Sequence, residues 1–458
     1  MANKQTGIEH RTLHELSGAE AVSLMQSGEL TCETYVTALL ARVAERDAAV
    51  RAWVHLDKAQ IMNQAQDLDR VPVGQRGPLH GLPVGIKDIM LTKDMPTQYN
   101  SKLFESTEPI ATDAAAIAVL RARGALIFGK TTTTEFASSK QGNWHQNLTR
   151  NAHAEDRTPG GSSSGSGAAV ADVQIPVALG TQTGGSIIRP AAFNGCYGFK
   201  PTWGAVSREG IGQWSTTNDT CGFFSRTIDD LKLLLDAYSI EDDTPPRQFT
   251  IKSSRIAFCK TSLWPNAGPG TQSAWEKAKT LLTTEGAQIT DLELPEDFSH
   301  LNDWHDIIIA KEGQASFLGA YLADKSKLED SIQGHVEDRK KYTRKQQSEA
   351  YDNCARLRSV WDSIAGQYEV VVVPSVPDEA PLGLEWTGDM SFNSMWTVLH
   401  CPVIHVPGFK GQSGMPVGLS LVSARFTDQQ LLETAQVIGQ LWQEKGSDGT
   451  IPENKKLE

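Results

Sequence analysis

Two glycine- and serine-rich clusters with an apolar passage between them constrain this chain more than any other feature. The first is Gly160-Gly161-Ser162-Ser163-Ser164-Gly165-Ser166-Gly167, and the second, Thr183-Gly184-Gly185-Ser186, ends 24 residues beyond Ser162. Glycine and serine at this density ordinarily make a flexible linker. The apolar run from 168 to 179 argues against that, because a linker has nothing to bury. The segment reads instead as a helix-to-strand passage inside a fold, with a glycine-rich turn at each end.

Such turns suit acyl transfer, which needs a nucleophile, a base to take its proton and donors for the oxyanion. A serine after two glycines supplies the first and the last together. Glycine has no Cβ, so main-chain N–H groups can converge and a substrate carbonyl can approach closely. Ser186 is thus a candidate nucleophile, and the N–H groups of Thr183, Gly184, Gly185 and Ser186 are candidate oxyanion donors. The base is less visible. Eleven histidines are present, none in a recognisable motif with an acidic partner. Lysine is the alternative if burial lowers its pKa toward neutrality. Lys87, in Gly81-Leu82-Pro83-Val84-Gly85-Ile86-Lys87-Asp88, directly follows a short apolar strand, so its ammonium is expected to be desolvated at the sheet's edge. Taken alone, a lysine there is ordinarily a surface charge.

Elsewhere short apolar runs alternate with helical periodicity. Strands are expected around 84–86, 125–128, 175–179, 255–258, 369–373, 404–406 and 417–422, with helical patterns at 114–123 and 227–239. Strands alternating with helices predict an α/β architecture, a mixed buried sheet between helices. The first 65 residues read as helices: Ser17-Gly-Ala-Glu20 is a capping box, and Val36, Leu39, Leu40 and Val43 form a core-facing stripe. Residues 66–245 hold the glycine–serine clusters, 266–365 are mainly helical apart from a strand-like 288–294, and 366–458 return to strands and a helix. With no low-complexity linker, 1–458 is expected to be one domain.

Formal net charge is −12, which disfavours nucleic acid and anionic membranes as partners. The six cysteines have no CxxC spacing, so neither a disulfide framework nor a zinc site is expected, and dispersed thiols suit a reducing compartment. The first twenty residues have no apolar leader core and no run is long enough to span a membrane. The cytoplasm is the expected location.

The segment 160–202 resembles the signature of the amidase signature family, and GLPVGIKD resembles that family's lysine motif. The likeness extends to FGKTTTTEFA (128–137), SRTIDDLKLLLDA (225–237), VVVPSVPDEAP (371–381) and TGDMSFNSMWTVLHCPVIHVPG (387–408), nearly the whole chain. It implies a layered α/β/α fold around a mixed sheet and a Ser-cisSer-Lys triad without metal or cofactor. Ser186 would be the nucleophile. Ser162 would follow a cis peptide and relay the proton, Lys87 would be the neutral base, and Ser163 would support the relay or be a plain loop serine. Gln182 stands where the family often has Asp, and Ile188 where it often has Arg, with Arg189 one place later. The variant GTQTGGS-x-IRP resembles a malonamidase-like branch, in which Arg189 would bind a substrate carboxylate; a structural role in fixing the loop is the other reading. The substrate pocket is expected to include Ala137, Ser138, Trp396 and His400.

The implied activity is hydrolysis of a small-molecule amide, anilide or carbamate (urethane), with esters as a side activity, in a monomer or homodimer. The alternatives are a glutamine-dependent amidotransferase subunit that releases ammonia to a partner enzyme, and a silent binding scaffold. Gly124–Thr131 matches the P-loop expression G-x-x-x-x-G-K-[ST], but its variable residues 125–128 read as a strand rather than a phosphate-cradling turn. The basic residues Arg339, Lys340, Lys341, Arg344 and Lys345 lie among carboxylates and read as a solvated helix face.

Overall fold

The computed structural model describes residues 12–138 and 148–446. The N-terminal reading for a leader falls, up to residue 11, outside them. Eleven strands form one mixed sheet: β1 (Trp53–His55), β2 (Pro83–Lys87), β3 (Leu126–Thr131), β4 (Val177–Gln182), β5 (Tyr197–Lys200), β6 (Thr220–Ser225), β7 (Arg255–Phe258), β8 (Gln288–Asp291), β9 (Val370–Pro374), β10 (Val403–Lys410) and β11 (Pro416–Val422). Their order is β1-β3-β2-β4-β6-β5-β10-β11-β9-β7-β8. β2 runs parallel to both β3 and β4, and β7 runs parallel to β8 and β9; the remaining pairs are antiparallel.

The sheet divides two apolar layers. Along β9, Val370 and Val372 join one core while Val371 and Val373 join the other, as the two-residue side-chain period of a strand requires. The first core takes the helices Gly18–Ser27, Cys32–Val50, Ile228–Ala237, Pro269–Thr284 and Asp428–Lys445; the second takes Leu301–Ser316, Arg344–Ala365 and Ser391–Val398. The expected layered α/β architecture is therefore present. A strand covered on both faces has no reason to alternate, which is why β9 reads VVVVP.

Several local signals appear as read. Ser17 caps Gly18–Ser27 with a full capping box, and Gly28 ends the helix in the left-handed region. Val36, Leu39, Leu40 and Val43 are buried. The P-loop look-alike is strand β3, and its lysine, Lys130, is buried in an ion pair with Asp88 at 3.0 Å. The basic cluster is paired with carboxylates, Arg339 with Asp330 and Glu337, Lys340 with Asp306, and Lys345 with Glu349. Residues 337–340 form turns there rather than the expected helix.

Three strands escaped the reading. β1 lies inside the segment taken as helical, and β5 and β6 are short runs whose glycines mask the strand pattern. Lys87 ends β2, which lies between β3 and β4. The lysine expected at the sheet's edge therefore sits in its interior, at the carboxyl end of a parallel strand. All six cysteines are free and buried. Among the described residues no helix is long and apolar enough to cross a membrane, and no cluster of metal-binding side chains is found.

Candidate active site

Lys87 brings the most expensive group into the site. Its side chain is fully enclosed, with Nζ 2.7 Å from Ser162 Oγ and 2.7 Å from Thr181 Oγ1. Burial pulls its pKa from 10.5 down to about 7; Asp219 and Cys221 oppose the shift and Arg189 adds to it. The cause is desolvation, which penalises the ammonium and leaves the free amine untouched. Thr181 is on β4, the parallel neighbour of β2, so adjacent strands supply both lysine and hydroxyl.

Ser162 follows a cis peptide after Gly161. Its carbonyl accepts from Thr134 N and Thr133 Oγ1, at 3.2 and 3.1 Å. Arg189 donates Nε and Nη2 to Gly161 O at 3.1 and 2.7 Å, and Nη1 to Gly388 O at 2.5 Å. Ser163 Oγ accepts from Thr181 N and donates to Thr181 O, both at 3.3 Å. It therefore holds the loop to β4 instead of touching the lysine.

Beyond β4 the chain turns through Thr183-Gly184-Gly185-Ser186 into the helix Ile188–Asn194. Gln182 organises this turn. Its Oε1 accepts from Ile187 N and Ile188 N at 2.8 and 3.1 Å, and its Nε2 donates to Thr397 Oγ1 at 3.1 Å. An amide can accept and donate at once, which a carboxylate at this position could not. The N–H groups of Gly184, Gly185 and Ser186 have no hydrogen-bond partner among the described residues, nor does Ser186 Oγ. The structure thus joins Lys87 to Ser162 directly, while Ser186 stands free.

Residues 34–432 match the family model described as Amidase. The chain belongs to the amidase family. It is 30% identical over 471 residues to the glutamyl-tRNA(Gln) amidotransferase A-subunit of Streptococcus pneumoniae strain 70585, covering 93% of this chain and 95% of that one. It is 37% identical over 299 residues to the protein of that name from Roseiflexus sp. strain RS-1. That match covers 62% of this chain and about three-fifths, 61%, of the relative's length. A crystal structure of an amidase superposes with a TM-score of 0.83 at 28% identity, covering 92% of this chain and 99% of the other.

In this amidase-family chain a small cleft opens beside Ser186. Its walls include Ala137, Ser138, Thr183, Gly184, Arg189, Trp214, His305, Ile309 and Met390. Ser138 is 3% exposed and its hydroxyl has no partner among the described residues. Asp219, held by burial at a pKa of about 6, accepts from Thr183 Oγ1 at 2.6 Å and from Trp214 N and Ser215 N at 2.8 and 3.0 Å.

Two expected pocket residues lie elsewhere. Trp396 is buried at 1% exposure against Trp361, ring centroids 4.9 Å apart, because its helix turns that face into the second core. His400 stacks on Trp203 at 4.5 Å and its Nε2 donates to Thr217 O at 2.7 Å, a core histidine. The reading missed Thr181, Asp219, Trp214, His305, Ile309 and Met390. Thr181 was findable, since two-residue alternation puts it on the same side of β4 as Thr183. Asp219 needed the register of β4 with β6, and His305, 122 residues from Thr183, left no sequence signal.

Proposed function

We propose that this chain hydrolyses an amide-type C–N bond through an acyl-enzyme on Ser186, with Ser162 as proton relay and Lys87 as base. The observation that carries the reading is the dry Lys87 amine, pKa about 7, in contact with Ser162 beside a turn of unpaired N–H groups. Burial thus leaves an uncharged amine able to accept a proton near neutral pH. As a carbonyl substrate enters, Ser186 Oγ–H turns to Ser162, a contact that tightens with substrate bound. Ser186 gives its proton to Ser162 Oγ, Ser162 gives its own to Lys87 Nζ, and Ser186 Oγ bonds to the carbonyl carbon. The oxyanion faces the N–H groups of Gly184, Gly185 and Ser186; Thr183 N–H is a further candidate. Collapse breaks the C–N bond, and the proton returns through Ser162 to the leaving nitrogen. Water then attacks the ester by the same relay, freeing the acid and regenerating Ser186.

The cleft argues for an uncharged acyl group. Its described walls carry no carboxylate, and the guanidinium of Arg189 already faces two main-chain carbonyls. We therefore read Arg189 as serving the loop, and a malonamate-type carboxylate as a poor fit. Primary amides, anilides, carbamates and esters of small apolar acids remain in scope, with Ser138 Oγ as the free donor for a second substrate oxygen.

A second reading has one observation in its favour: the relatives from Streptococcus pneumoniae and Roseiflexus are glutamyl-tRNA(Gln) amidotransferase A-subunits. Glutamine carries both an ammonium and a carboxylate, and the described walls offer neither a carboxylate nor an unengaged cation. This favours the hydrolase. The test is a panel of neutral amides, anilides, carbamates and esters alongside glutamine, with mass spectrometry of the acyl group trapped on Ser186. Turnover confined to glutamine would replace the first reading by the second; no adduct on Ser186 with any substrate would sink both.

A further inference from the structure

A hydrogen bond from outside the signature segment reaches its turn. His305, on the helix Leu301–Ser316, is buried and its Nε2 lies 2.8 Å from Thr183 O. A carbonyl only accepts, so the imidazole proton is on Nε2, where both the neutral tautomer and the cation can carry it. The Thr183–Gly184 peptide is trans, the one cis bond among the described residues being Gly161–Ser162. In a planar trans peptide C=O and N–H point in opposite directions. Holding Thr183 O therefore aims Gly184 N–H the other way, away from His305.

The next two peptides are held in like manner. Thr397 Oγ1 donates to Gly184 O at 2.7 Å, and Arg189 N donates to Gly185 O at 2.9 Å. Glycine has no side chain to limit its dihedrals, so three pinned carbonyls are what give the three N–H groups a direction. The same helix also acts at a second point. Glu312 accepts from Ser215 Oγ and Thr217 N, in the loop leading to Asp219, which holds Thr183 Oγ1.

We propose that His305 is a positioning residue for the oxyanion site: through Thr183 O it sets the direction of Gly184 N–H, so the helical region 266–365 tunes the chemistry and not only the pocket wall. This rests on Ser186 being the nucleophile. The geometry has a clear consequence. Losing the imidazole removes part of one cleft wall and lets the Thr183–Gly184 peptide rotate, so the bond-making step slows by more than binding weakens.

The test is inactivation of the full chain by diisopropyl fluorophosphate, in which Ser186 Oγ displaces fluoride from phosphorus and the phosphoryl oxygen takes the oxyanion position. Removing an oxyanion donor costs about 100- to 1000-fold in rate; a misaimed donor in His305→Ala should cost about 10- to 100-fold in the maximal inactivation rate. The half-saturating concentration should change less than the maximal rate, and labelling should still reach one adduct per chain. His305→Gln, which keeps a donor at similar reach, should recover most of the rate. If His305→Ala does not melt cooperatively, His305→Met fills the space without a donor and carries the same expectation. A folded Ala or Met variant at the wild-type rate would overturn the proposal, as would slowing through weaker binding or lost stoichiometry, or a folded Gln variant that recovers nothing. Wild-type protein that takes no adduct at Ser186 would overturn the hydrolase reading and this inference with it.

Discussion

Replacing Lys87 by methionine should destroy the activity and change the pH dependence of stability in a calculable way. The lysine's pKa falls from 10.5 to about 7 because the fold desolvates it. At 1.36 kcal/mol per tenfold in proton affinity, holding this group in the fold costs about 4 kcal/mol at pH 7 and about 2 kcal/mol at pH 9. The sign follows from proton counting. Between pH 7 and 10.5 the unfolded chain holds a proton that the folded chain has released, so this group's cost shrinks as pH rises. The methionine side chain would fill a similar volume with no titration, but Ser162 Oγ and Thr181 Oγ1 would lose their lysine partner, at about 1 kcal/mol each. Lys87→Met should thus be about 2 kcal/mol more stable than wild type at pH 7 and level with it at pH 9. Urea unfolding at the two pH values measures this, and taking the difference between the proteins cancels the titration of groups that do not interact with Lys87. A gap that does not change with pH would refute the desolvated amine. In parallel, wild-type acylation should rise tenfold per pH unit below about 7 and level off above it; a flat profile from pH 5 to 9 would refute Lys87 as base.

Three further substitutions probe the site. Ser186→Ala should lose hydrolysis and labelling while its urea midpoint stays close to wild type, since Ser186 Oγ has no partner among the described residues to lose. Ser138→Ala should raise KM with kcat nearly unchanged for a substrate bearing a second oxygen, and leave a substrate lacking one unaffected; the unpartnered hydroxyl in the cleft is worth about 1 kcal/mol, or roughly fivefold. Gly165→Ala should destabilise the protein by about 1–3 kcal/mol or more, measured by urea unfolding. The added methyl would meet Ala52 O and Thr132 N, backbone atoms that cannot step aside.

Much of this molecule could be read before it was seen, and the reasons are local. The capping box at Ser17, the apolar stripe of Cys32–Val50 and the strand runs of β9 and β11 each depend on neighbours a few residues away. So does the P-loop look-alike, rejected because residues 125–128 had strand character. What failed was non-local. β1 has three residues, half-buried throughout, and no periodicity can be read from three. Trp396 lies within a motif that reaches the turn, yet its own helix face points into the second core. The glycine-rich motifs marked where Ser162 and Ser186 stand, but nothing in them told that Ser163 would grip Thr181's backbone, or that Gln182 would do with one amide what needs both a donor and an acceptor.

The same division runs through the proposed chemistry. The reacting hydroxyls and amine lie on β2 and on the two glycine-rich turns, within 100 residues of one another. The direction of the donors they face is set by three groups acting on successive carbonyls, His305 and Thr397 from farther off and Arg189 N from the helix that follows the turn. A glycine turn is suited to an oxyanion because nothing obstructs it, and for the same reason it has no preferred orientation of its own. Freedom of approach and fixed direction therefore have to come from different parts of the chain. The motif can stay unchanged while the segments that pin it differ, and with them the rate at which the same serine reacts.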